Sequence, residues 1–147
     1  MFTLPRRGYG RKEKKMNKYE NQAIEFLRNS KANMEIKYKG KAINPDWKDD
    51  TERNYYSFEI RTQKGTMSGT FWDSIHNAQR NNKPTEYDVL ACLTKYDPGT
   101  FEEFCSDYGY DEDSRTAEKI YIAVVREYKQ LERIFTTEQL EELAEIN

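Results

Sequence analysis

The chain has 147 residues, 36% hydrophobic and 34% charged, with 24 Lys+Arg against 26 Asp+Glu and a formal net charge of −2. That length suits one domain with a single core, and no apolar run approaches the roughly 18 residues of a helical membrane span. Residues 1–48 carry 13 Lys/Arg against 5 Asp/Glu, residues 49–83 carry 5 of each, and residues 84–147 carry 6 against 16, so a near-neutral total hides a dipolar chain.

The low apolar fraction is offset by 11 Tyr, 7 Phe and 2 Trp, which bury much area per residue. Met1–Lys15 holds six basic residues, one acidic, two Gly and one Pro, and lacks the apolar stretch of a secretory signal. It reads as a basic flexible extension ahead of a domain spanning 16–147; the alternative is a functional basic arm for nucleic acid. Without it the chain carries −7.

Asn17–Ala32 is predicted as the first helix, with Tyr19, Ala23, Phe26, Leu27 and Ser30 on one face. Met34, Ile36 and Tyr38 alternate with Glu35, Lys37 and Lys39, the pattern of a half-buried strand, ended by Gly40. Residues 43–54 are aperiodic and form a loop, which Trp47 would pin to the core. Tyr56, Phe58 and Ile60 alternate again, Lys64-Gly65 supplies a turn, and Met67 and Phe71 lie on the return strand with Gly69 as a candidate bulge. Three short antiparallel strands need a helix on one face.

After Trp72 the period becomes helical. Asp73–Arg80 is a candidate short helix. Thr85 caps a helix over Glu86–Tyr96 whose Val89–Leu93 run is apolar on nearly all sides, which places it centrally. Thr100 and Glu103 form a capping box, and Gly109 is the expected C-cap. Ser114 or Asp113 caps the longest helix, with its stripe Ala117, Ile120, Tyr121, Val124, Val125, Tyr128 and Leu131. Phe104 and Val124 are expected to be buried on facing helices. Thr136 and Gln139 form another capping box, with Phe135 and Leu140 as a hydrophobic staple. The fold class is therefore α+β: an N-terminal helix, a three-stranded antiparallel sheet, and a C-terminal bundle of four to five helices. Residues 16–72 supply helix and sheet; residues 73–147 supply the acidic helical part.

Chemistry-bearing motifs are few. Asp107–Glu118 places Asp107, Asp111, Asp113 and Glu118 at positions 1, 5, 7 and 12 of a calcium-loop frame. Gly109 at position 3 and Glu112 at position 6 break the frame, so no metal is expected. His76 is the single histidine, with Asp73 as its nearest acidic neighbour on a helix. Asp49, Asp50 and Glu52 read as a solvated loop. No phosphate loop, dinucleotide fingerprint or nucleophile turn occurs, so neither a catalytic residue nor a cofactor is assigned. Cys92 and Cys105 sit among apolar residues and are expected to be buried, reduced thiols.

Two binding surfaces compete. Asp107, Asp111, Glu112 and Asp113 crowd four carboxylates around Tyr108 and Tyr110, more acids than helix caps require. Such a set suits a partner protein with a basic surface. Alternatively, Lys37, Lys39 and Lys41 projecting from one strand face, with interleaved tyrosines, suit single-stranded nucleic acid, although the acidic balance from residue 16 opposes it. Lysines also protect sheet edges.

Tyr87–Ile146, and within it DPGTFEEFCSDYGYDEDSRTAEKIY with the acidic last helix, resembles a family of small uncharacterised proteins of phages, prophages and mobile elements. The resemblance covers a little under half the chain. It implies a place in the cytoplasm of a bacterial host cell and a non-enzymatic accessory role, exerted by occupying a host protein's surface. Blocking the nucleic-acid site of a host defence nuclease is one concrete form. It carries over no catalytic residue.

Overall fold

The computed structural model describes residues 18–45, 50–73 and 83–146. The extension 1–15, Trp47, Asp49, His76 and all of the candidate 73–80 helix except Asp73 lie outside the described residues. Helix α1 (Lys18–Asn29) is followed by strands β1 (Asn33–Ala42), β2 (Arg53–Thr62) and β3 (Gly65–Trp72). Then come helices α2 (Glu86–Cys92), α3 (Phe101–Tyr108), α4 (Arg115–Ile134) and α5 (Thr137–Ala144). The strands form an antiparallel meander in the order β1-β2-β3, so the α+β layout expected from the sequence is observed.

Helix α1 buries Ala23, Phe26 and Leu27, as its spacing predicts. It stops three residues short of Ala32 because Lys31 turns left-handed at φ 54. The Ala32 N–H then reaches back to the Leu27 carbonyl at 2.9 Å, satisfying a carbonyl the helix leaves open.

Strand β1 does not end at Gly40. It continues to Ala42 through a bulge, where Tyr38 pairs with Tyr56 and Gly40 with Tyr55. Gly40 has φ 111, a conformation a side chain resists. No bulge occurs at Gly69, which pairs directly with Phe58. A methyl group on Gly69 would lie 2.8 Å from Phe58 Cζ, so glycine is there to let the ring lie across the strand.

The inner sheet face offers Tyr56, Phe58, Ile60, Met67 and Phe71 to a core completed by α1, by Val89, Leu90 and Leu93, and by Leu131, Ile134, Phe135, Leu140, Leu143 and Ile146. Phe26 and Phe135 meet there with ring centroids 5.2 Å apart. The β2–β3 turn is tied to the end of α4. The Thr62 hydroxyl donates to the Ile134 carbonyl at 2.7 Å and Lys64 Nζ to the Phe135 carbonyl at 3.4 Å. A polar group closes the other end of the sheet. Asp73 is fully buried, and its Oδ2 accepts from Asn54 Nδ2 at 2.9 Å and from the Tyr56 hydroxyl at 3.4 Å.

The four capped helix starts occur as expected. Thr85, Thr100 and Thr136 form reciprocal capping boxes with Asp88, Glu103 and Gln139, and Ser114, not Asp113, caps α4. Helix α2 ends at Cys92 and not at Tyr96. Leu93 turns extended and is buried, and the Thr94 N–H is taken by the Glu127 carboxylate. Ala91 and Cys92 are exposed, so α2 is embedded on one side only. On α4 just Ala117, Leu131 and Ile134 are buried. Its N-terminal half runs past the main core, with short α3 as its cover, which leaves Val124 half-buried opposite a buried Phe104.

Candidate protein-binding site

The projecting half of α4 and α3 build one end of the molecule. Phe104 is its small core: Tyr108, Tyr110 and Tyr121 set their rings 4.9, 5.8 and 5.4 Å from it. Gly109, left-handed at φ 74, ends α3 and lets the chain turn back. The Tyr110 N–H bonds the Cys105 carbonyl at 2.9 Å, and Asp111 shapes the turn by accepting the Asp113 N–H on its carboxylate at 3.1 Å. Position 3 of the calcium-like frame is thus a helix cap. Among the described residues, no group of three or more His, Cys, Asp or Glu is arranged to hold a metal.

Loop 93–98 supplies the opposite wall. The Tyr121 hydroxyl donates to the Gly99 carbonyl at 2.6 Å and Tyr96 to the Ala144 carbonyl at 2.8 Å, while Lys95 Nζ donates to the Ile146 carbonyl. Burial pushes the Lys95 ammonium below its ordinary value. Between this loop, α3 and α4 lies a cavity of about 450 Å³, lined by Tyr96, Pro98, Phe104, Asp107, Tyr108 and Tyr110, with Ile120 and Val124 in its floor. Tyr96, Tyr108 and Tyr110 are 60%, 68% and 38% exposed. They form a rim whose rings are half supported by protein and half open to water.

Of the six residues expected at this site, Asp107, Tyr108 and Tyr110 line the cavity, and Asp111, Glu112 and Asp113 stand exposed on the adjoining turn. Tyr96, Pro98, Ile120 and Val124 join them: Tyr96 and Pro98 stand on a loop where the sequence pattern predicts the end of a helix, and Ile120 and Val124 belong to the apolar stripe of α4. The acidic field reaches inward. The buried Cys105 thiol is held above its ordinary value by its burial first, then by Glu112, Glu102 and Asp111.

Neither cysteine is in a disulfide, and Cys92 is exposed, its thiol donating to the Asp88 carbonyl at 3.1 Å, against the expectation that both are buried. A thiol reagent applied to the native protein should therefore modify Cys92 quickly and Cys105 only as the end opens. Raised in the fold, the Cys105 thiol favours the folded state while protonated; that contribution falls as pH rises through the alkaline range where free thiols ionise. Equal labelling rates at the two cysteines would contradict this packing.

The lysine surface does not assemble. Lys37 pairs with Ser57 on the outer sheet face, whereas Lys41, beyond the bulge, pairs with Asn54, which is buried on the other side. A one-residue shift reverses side-chain alternation, so Lys37 and Lys41 point to opposite faces, with Lys39 the extra residue between them. All three are exposed on edge strand β1. The outer face near Lys37 also carries Glu35 and Glu59, the latter 2.7 Å from Arg61.

Among the described residues, no helix is long and apolar enough to cross a membrane. No protein-family model, curated protein or solved structure matches the chain.

Proposed function

We propose that this chain is a non-enzymatic accessory protein of phage type that binds another protein at the tyrosine-rimmed cavity. One observation carries the reading: three tyrosines at least 38% exposed converge with Asp107 on a cavity of about 450 Å³. Tyr combines large contact area with few rotatable bonds, and such rings over a concave floor are the make-up of binding hot spots. Asp107 and the turn acids Asp111, Glu112 and Asp113 select a partner segment bearing Arg or Lys, through charge-assisted bonds. With the resemblance to phage and mobile-element proteins, the partner is a protein of a bacterial host cell with a basic surface, and a defence nuclease whose nucleic-acid site is basic fits that chemistry. The divided lysines of β1 offer a nucleic-acid strand no continuous track.

The test is capture from nuclease-treated bacterial lysate, comparing wild type with Tyr108→Ala. A hot-spot tyrosine contributes about 2 kcal/mol or more, so capture should fall roughly thirtyfold in affinity. Because Tyr108 is 68% exposed, the fold should survive. Capture that disappears with nuclease treatment, or is indifferent to Tyr108→Ala, would sink the proposal.

A further inference from the structure

The acidic C-terminal part holds 6 Lys/Arg, and five of them (Arg115, Lys119, Arg126, Lys129 and Arg133) stand on α4. All five are exposed. Away from the tyrosine cavity, α4 presents a groove of about 730 Å³ whose lining includes Ile122, Val125, Arg126, Lys129 and Glu132. Ile122 is 48% exposed in the middle of a 20-residue helix.

Along this side runs a seam at alternating spacings of three and four: Arg115, Glu118, Ile122, Val125, Lys129, Glu132. That is the a/d spacing by which two helices supercoil. Read forward, its side chains are cation, anion, aliphatic, aliphatic, cation, anion. Read backward, every cation becomes an anion and the aliphatic pair stays central. A parallel copy in register would set like charge on like charge in four of six layers. An antiparallel copy sets Arg115 against Glu132, Glu118 against Lys129 and Ile122 against Val125, each contact occurring twice by symmetry. Opposed helix dipoles favour the same direction.

We propose that the outward seam of α4 is a self-recognition surface on which a second copy of this chain docks antiparallel about a two-fold axis. Two aliphatic side chains per copy make this a weak, transient pairing. One contact is unfavourable: Lys119 and Arg126 flank the seam on one side, and the antiparallel copy brings each beside the other. That flaw gives the arrangement a signature. Turning Arg126 acidic removes a cation from a cationic groove, yet it should strengthen the dimer by pairing with Lys119 of the second copy.

The seam shares no residue with the tyrosine cavity, so the dimer and the capture of a partner succeed or fail separately. The test is sedimentation of the full chain at low ionic strength, over a concentration series reaching the millimolar range. Circular dichroism melts would show each variant to be folded. Wild type should form a reversible dimer. Lys129→Glu, disrupting two symmetry-related exposed pairs, should weaken it about tenfold or more. Adding Glu118→Lys to that variant should restore it, and Arg126→Glu alone should tighten it. A wild-type monomer throughout overturns the proposal. So does a dimer indifferent to Lys129→Glu, or one weakened by Arg126→Glu, which would mean that the groove holds an acidic surface and not its own copy.

Discussion

Phe135→Ala is expected to lower unfolding free energy by about 3–5 kcal/mol, the cost of truncating a buried phenylalanine without refilling its space. Phe135 is 1% exposed and packs on Phe26, joining the first helix to the last two. Its carbonyl also holds Lys64 of the β2–β3 turn, and its extended backbone ends α4. One residue thus ties four elements together, and its ring lies within the main buried cluster. Urea unfolding followed by tryptophan fluorescence would read the loss as a lower midpoint at unchanged slope. A loss under about 1 kcal/mol would mean that the core does not run through this junction, since such losses are typical of surface substitutions. The same change at Phe104 should loosen the α3 end more than the whole molecule, because Phe104 lies outside the main cluster.

The second large effect is expected at Asp73. Its carboxylate is fully buried and accepts from Asn54 Nδ2 and the Tyr56 hydroxyl, and its N–H donates to the Asn54 carbonyl at 3.0 Å. Asn54 in turn accepts from the Tyr38 hydroxyl at 3.1 Å. Asp73→Ala leaves two buried donors without this acceptor, at about 1–3 kcal/mol each. Asp73→Asn keeps an acceptor oxygen and should retain part of that stability. An alanine variant as stable as wild type would show that the cluster contributes no net stability. The comparison of the two variants separates loss of the acceptor from loss of charge.

The elements with local signals were legible. Each capped helix start is defined within four residues, as with Thr100 and Glu103, so chain chemistry alone locates it. Gly109 as a left-handed cap is local in the same sense. What escaped depends on partners distant in sequence. Helix α2 stops at Cys92 because Glu127, 33 residues on, takes the Thr94 N–H, and nothing within Glu86–Tyr96 announces that. The bulge at Gly40 is fixed by pairing with β2, and with it went the single-faced lysine array. The apolar stripe of α4 was readable, but which half of a 20-residue helix meets the main core depends on the length of the elements beside it. The acidic turn with Tyr108 and Tyr110 was legible from residue types. The cavity was not, because its other wall is a loop that local pattern reads as helix.

The most direct measurement of binding at the tyrosine rim is hydrogen–deuterium exchange of the full chain, alone and with its captured partner. Engagement there should slow exchange in loop 93–98 and across 107–113, where backbone amides border the cavity, and leave β1 unchanged. Slowed exchange along β1 and the outer sheet face, with none at 93–98 or 107–113, would contradict it.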